Sequence, residues 1–201
     1  MSILGRAKLH EALSHKDINQ RLIISPLLQE SQIGPGSVDI RLGNEFIVTQ
    51  KGNLASLDPG ASEMGLGEKR RFEHKRYVER AEPFVLHPRE LVLAATLEYF
   101  RLPSNLAGYV TSRSAWGRAG LVIATAVAVH PGFTGTVTLE LVNLGEVPLI
   151  LYPGLSVAQF VFFDCSGGEE YTGRFSGQIS PQSSTPKAIE KKDLSFWCKR
   201  S

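Results

Sequence analysis

Thr136-Val137-Thr138-Leu139-Glu140-Leu141-Val142 reads as a β-strand with two unlike faces. Successive side chains on a strand point to opposite sides, so Val137, Leu139 and Leu141 share one face. Thr136, Thr138, Glu140 and Val142 share the other. The first set asks for a core. Glutamate is disfavoured in strands, so Glu140 either sits on a solvated sheet face or is held in a pocket where a carboxylate can move protons. The same texture of short apolar runs extends outward from this segment. Candidate strands are Ser37–Leu42, Glu45–Val48, Phe84–Leu86, Leu91–Leu97, Ala107–Thr111, Leu149–Leu151 and Ser156–Phe163. Turn signals at Pro59-Gly60, His87-Pro88, Pro131-Gly132, Asn143–Gly145 and Pro153-Gly154 separate them. Many short strands with frequent Gly/Pro turns predict a mainly β, closed or sandwich-like architecture. Ile3, Leu4, Ala7, Leu9, Ala12 and Leu13 recur at helical spacing, which predicts one short helix over residues 3–14.

A chain of 201 residues suits a single domain and is long enough to bury a core without disulfide or metal staples. The 22 Lys+Arg against 20 Asp+Glu leave a net charge of +2, which gives no global electrostatic case for a nucleic-acid or membrane partner. No stretch approaches the roughly 18–20 apolar residues of a membrane span, and the N-terminus lacks a signal-peptide core, so a cytoplasmic protein is expected. The two cysteines, Cys165 and Cys198, fit a reducing compartment. Residues 51–67 are Gly-rich and read as a loop. Residues 68–80 carry six Lys/Arg and three Glu, a surface strand or solvated face rather than a basic nucleic-acid patch. From Gly167 the chain turns to Gly, Ser, Gln and Pro and is either disordered or a flap that orders over something.

Thr111-Ser112-Arg113-Ser114-Ala115-Trp116-Gly117-Arg118-Ala119-Gly120 is a second candidate site. Two arginines, small hydroxyl residues and glycines suit a turn or helix start that binds phosphate, because guanidinium forks pair with phosphate oxygens. It is neither a P-loop nor a GxGxxG turn. Zinc chemistry lacks its ligands: nucleobase deaminases of the zinc type need H-x-E and P-C-x-x-C. None of His10, His15, His74, His87 or His130 begins the first, and the cysteines stand 33 apart.

SRSAWGRAGL, then HPGFTGTVTLELVN, then PLILYPGLSVAQFVF, taken in order, resemble the dCTP deaminases of the dUTPase superfamily. That family shows G-R-S-S-x-x-R-x-G-L, D-P-G-[FW]-x-G-x-[IV]-x-L-E and a P-x-x-L-x-x-G-x-x-I-x-Q-L strand. IGPGSVDIRLGNEF and the tail YTGRFSGQ resemble its upstream segment and its closing flap. The resemblance implies a distorted β-barrel of the dUTPase-like (β-clip) type with a short N-terminal helix, forming a homotrimer with sites between subunits. It implies one domain over 1–201, with an insert at 51–80, a flap at 167–190 and an extra tail at 191–201. Glu140 falls on the catalytic glutamate, with Ser114 and Arg118 beside it in catalysis. Substrate binding would fall to Arg113, Ser114, Ala115, Trp116, Gly117, Arg118, His130, Thr138, Leu139, Glu140, Gln159, Tyr171, Arg174 and Gln178. The ligands implied are dCTP and dUTP, with Mg²⁺ travelling on the triphosphate and no zinc.

The chain departs from the family pattern at several places. His130 stands where the family carries Asp, and Ala115 replaces the second Ser of the S-S pair. Thr125–Val129 lack the A-G-[WF] of bifunctional deaminase–dUTPases, and Ser180 replaces a flap glycine. The expected reaction is therefore deamination of dCTP to dUTP and ammonia. The alternatives are a bifunctional enzyme releasing dUMP and pyrophosphate, or a nucleotide-binding relative without catalysis.

Overall fold

The computed structural model describes residues 2–49, 73–123, 128–165, 167 and 177–182, and the elements below lie within them. The predicted N-terminal helix is shorter than its apolar pattern. Ile3 bridges Phe163, and the Leu4 amide donates to the Phe162 carbonyl at 2.9 Å, so both belong to the sheet edge. Helix α1 (Arg6–Leu13) follows and buries Leu9 completely.

The strands come in chain order as β1 (Ile23–Ser25), β2 (Val38–Thr49), β3 (Glu73–Tyr77), β4 (Phe84–Leu86), β5 (Leu91–Arg101) and β6 (Leu106–Ser112). Helix α2 (Ser114–Arg118) precedes β7 (Leu121–Ile123), β8 (Ala128–Val129), β9 (Thr134–Asn143), β10 (Leu149–Leu151) and β11 (Ser156–Asp164). One antiparallel sheet runs β7-β9-β5-β2-β11-β6-β8, with β1 added on β5 and β3 on β2, while β4 and β10 form a separate pair. The sheet curls into the distorted barrel expected. Its inner face carries Val38, Ile40, Leu42, Phe46, Leu139, Leu141, Phe160 and Phe162 in one core.

Two predicted strand boundaries fall at register shifts within continuous strands. Ser37–Leu42 and Glu45–Val48 are parts of one strand, β2, whose register against β5 shifts between Leu42 and Phe46. An extra residue in one strand bends it without ending it. Gly43 sits in the bend, where a Cβ would meet the Ala95 carbonyl at 2.9 Å. Likewise β5 runs past Leu97 to Arg101, with a shift against β9 between Ala95 and Tyr99. Residues 73–77 of the charged segment form an edge strand with exposed side chains, reconciling the two readings of that stretch. The remainder of the expected insert and the 191–201 tail lie outside the described residues.

Asn143, read from sequence as a turn residue, is fully buried and acts as a clasp. Its Nδ2 donates to the Leu86 and Val147 carbonyls at 3.0 and 2.9 Å, and its Oδ1 accepts the Gly145 amide at 2.9 Å. Asn143→Ala strands these buried groups, and a loss of about 2–4 kcal/mol of unfolding free energy is expected in urea titration.

Glu98 is a second buried polar residue with a specified setting. Its Oε2 accepts the Arg41 amide at 2.8 Å, and its Oε1 accepts Gln32 Nε2 at 3.2 Å and an Arg41 guanidinium nitrogen at 3.3 Å. Burial pushes its carboxyl above the ordinary value of 4.5, against the opposing pull of the Arg41 contacts. A carboxyl with a raised folded-state value binds its proton more tightly in the folded chain. The stability it confers is complete below the unfolded-state value and falls away as pH rises through the folded one. The stability of wild type relative to Glu98→Gln should therefore decline as pH rises from about 4, the acid end of the carboxylate range, upward. A difference that grows over that range contradicts this assignment.

Candidate active site

The alternation in β9 is as expected: Val137, Leu139 and Leu141 are buried, and Thr138, Glu140 and Val142 are half-buried on the opposite face. Directly paired residues of antiparallel strands share a face, so Glu140 stands beside Leu93 of β5, and Val142 beside Leu91 of β5 and Val122 of β7. Leu91 and Val122 are 49% and 36% exposed, so the same face carries uncovered apolar groups around Val142. Among the described residues Glu140 has neither an ion-pair nor a hydrogen-bond partner in its own chain. Leu139 points into the core with no exposure, which leaves only its backbone for any ligand.

The Ser112–Arg118 segment divides by role. Ser112 Oγ accepts the Ile123 amide at 3.0 Å and ties β6 to β7. Trp116 packs against the core and donates its indole N–H to the Ser156 carbonyl at 3.0 Å, fixing α2 on β11. Ser114, Ala115, Gly117 and Arg118 are exposed, and no hydrogen bond or ion pair joins Ser114 or Arg118 to Glu140 within the chain. Gly120 ends the segment at φ +98, where a Cβ would lie 2.7 Å from the Gly145 amide nitrogen. Gly120→Ala adds steric overlap to a left-handed backbone, and about 2 kcal/mol of destabilisation is expected by thermal or urea unfolding.

Arg113 and Gln159 meet at a residue the sequence reading did not single out. Arg113 Nη1 lies 3.2 Å from Asp39 Oδ2, and Gln159 Nε2 donates to Asp39 Oδ1 at 3.0 Å. Gln159 pairs with Asp39 on β2 and with Thr111 on β6, so these residues stand abreast on one sheet face. Asp39 lies in the VDIRLG run, and the alternation of that strand was the signal available for it.

His130 is exposed in the turn before β9, its carbonyl accepting the Phe133 amide at 3.2 Å. Gln178 is brought to β9: the Thr136 amide donates to its carbonyl at 2.7 Å, and Gly135 bridges it in parallel. Farther along, the Gln182 amide donates to Thr138 Oγ1 at 3.1 Å, so residues 177–182 run beside the strand that carries Glu140. Tyr171 and Arg174 lie outside the described residues, as do 124–127. Among the described residues no group of three His, Cys, Asp or Glu is gathered to hold a metal, and no helix is long and apolar enough to cross a membrane.

The fold is a curled antiparallel barrel that carries an exposed arginine–serine turn and a half-buried strand carboxylate. The same architecture occurs in the crystal structure of 2'-deoxycytidine 5'-triphosphate deaminase from Agrobacterium tumefaciens, at TM-score 0.58 and 21% identity, over 80% of this chain and 47% of that one. This chain therefore spans just under half the length of that protein. The dCTP deaminase-like family model matches residues 3–165, and the chain belongs to that family. A Natronomonas pharaonis protein named dCTP deaminase is 40% identical over 185 residues, 86% of this chain and 93% of the relative. A Methanosphaera stadtmanae protein named dCTP deaminase, dUMP-forming, is 37% identical over 188 residues, 87% of this chain and 93% of the relative.

Proposed function

We propose that this protein is a dCTP deaminase that hydrolyses dCTP to dUTP and ammonia without zinc, in pyrimidine deoxynucleotide metabolism in the cytoplasm. The observation that carries the reading is Glu140: a half-buried strand carboxylate beside Leu93, with no hydrogen-bond or ion-pair partner among the described residues. Membership of the dCTP deaminase-like family supports the substrate.

In the proposed mechanism Glu140 accepts a proton as water adds to C4 of cytosine. It delivers that proton to N3, then takes the proton of the new C4 hydroxyl and passes it to the amino group, so that the C4 carbonyl forms, the C4–N bond breaks and ammonia leaves. Ser114 and Arg118 orient the water and the carboxylate. Arg113, with Arg174 and Gln178 from the tail segment, holds the triphosphate, and Mg²⁺ enters on the triphosphate as part of the substrate. Ala115, Trp116 and Gly117 shape the turn, Trp116 by anchoring it. Thr138 and the backbone of Leu139 border the base and sugar, with Gln159, Tyr171 and His130 completing the ligand's surroundings.

No hydrogen bond or ion pair joins Glu140 to the Ser114–Arg118 turn within one chain, and the exposed Leu91 and Val122 pair with Val142, two residues along the same strand face. A homotrimer whose subunits each present Glu140 to a neighbour's arginine turn answers both observations.

The finer question is product. Relatives bear both names, dCTP deaminase and dCTP deaminase, dUMP-forming, and the second reading is a bifunctional enzyme that also cleaves dUTP. The exposed His130, where the family carries an aspartate, favours deamination alone, because an imidazole is a poor substitute for a fixed anion that positions water. Incubation with dCTP and Mg²⁺, with ammonia and pyrophosphate both quantified, separates these. Ammonia with dUTP is the expected outcome. Equimolar pyrophosphate establishes the bifunctional enzyme, and dCTP binding without either product establishes a non-catalytic relative.

A further inference from the structure

The geometry points to Asp39 as a positioning residue that sets Arg113 and Gln159 for the nucleotide. The inference rests on the proposed role of those two residues in binding a nucleoside triphosphate. Each oxygen of the Asp39 carboxylate is assigned: Oδ2 to Arg113 at 3.2 Å and Oδ1 to Gln159 at 3.0 Å. The three residues come from different elements: β2, the residue just before α2, and β11. One carboxylate thus couples the arginine turn to the barrel wall.

Two physical consequences follow from that arrangement. A guanidinium carries five N–H donors in a rigid fork. One nitrogen of Arg113 is spent on Asp39, while the side chain stays 39% exposed, leaving donors for an anionic ligand. An unattached arginine loses side-chain rotamer freedom when it is fixed. Asp39 restrains Arg113 before the ligand arrives, which lowers that loss on binding. For Gln159 the effect is one of polarity. An ionised carboxylate accepts only, so the amide must turn its NH₂ toward Asp39 and present its carbonyl oxygen elsewhere. Gln159 then offers the ligand an acceptor, matched to a hydroxyl or amino donor.

The test is a double-mutant cycle on the full chain with wild type, Asp39→Asn, Arg113→Ala and the double variant. Both dCTP turnover and equilibrium dCTP binding are measured in each. Asp39→Asn keeps the shape and removes the charge. It is expected to weaken dCTP binding about tenfold, the size of one charge-assisted hydrogen bond, with kcat changed by less than about threefold. In the Arg113→Ala background the same change should have little further effect, because the residue it acts through is gone. Equal weakening in both backgrounds, or an unchanged dissociation constant in Asp39→Asn, overturns the inference. If Asp39→Asn does not fold, Asp39→Glu is put through the same cycle, with a smaller loss that must likewise vanish beside Arg113→Ala. Absence of turnover in wild type would sink the deaminase reading, and the binding cycle would still decide the role of Asp39.

Discussion

Glu140→Gln is expected to lower ammonia release from dCTP by about 10³–10⁴-fold while the dissociation constant for dCTP moves less than about threefold. The amide fills the volume of the carboxylate but cannot take a proton from water and return it. The change should leave the fold intact, because Glu140 has no internal hydrogen-bond or ion-pair partner among the described residues. Its flanking residues Leu139 and Leu141 supply the core packing of that strand. Stopped-assay ammonia measurement with parallel calorimetric binding checks both halves. Equal loss of binding and turnover would make Glu140 a structural or binding residue, and the proton-transfer role would fail.

Mixing two inactive variants is expected to restore activity from near zero. Glu140→Gln carries an intact arginine turn, and Arg118→Ala carries an intact glutamate. If each site takes Glu140 from one subunit and Arg118 from its neighbour, random exchange in a trimer makes about one quarter of the sites wild type. Turnover of a one-to-one mixture, after subunit exchange, should therefore approach about a quarter of the wild-type rate. No gain on mixing, with exchange verified by mass tags, would place both groups in one subunit. The single-chain geometry favours rescue, since Arg118 is exposed and makes no bond to Glu140.

The part of the fold that alternation controls was legible in the sequence. TVTLELV gave the strand, its buried face and the position of Glu140, because a strand buried on one side must alternate. Bulges were not legible. At Gly43 and near Glu98 the pattern slips although the strand continues, so β2 was read as two strands and β5 was ended at Leu97. The strands β1, β7 and β8 are 3, 3 and 2 residues long, too short to show a period. Arg113 is legible in the arginine–serine turn and Gln159 through the family resemblance, but the residue that joins them is not. Asp39, 120 positions from Gln159, becomes their partner only when β2 lies beside β11. Trp116 was grouped with the ligand-binding turn, and its indole proves to be committed to Ser156, a contact 40 residues distant.

In the proposed reaction a carboxylate removes the cytosine amino group hydrolytically, without zinc. It is tested most directly by steady-state ammonia release from dCTP in protein stripped with a strong chelator, verified zinc-free, and resupplied with Mg²⁺ alone. Full turnover under those conditions, unchanged on adding zinc, is expected. Turnover that is lost with the chelator and restored only by stoichiometric zinc would contradict it.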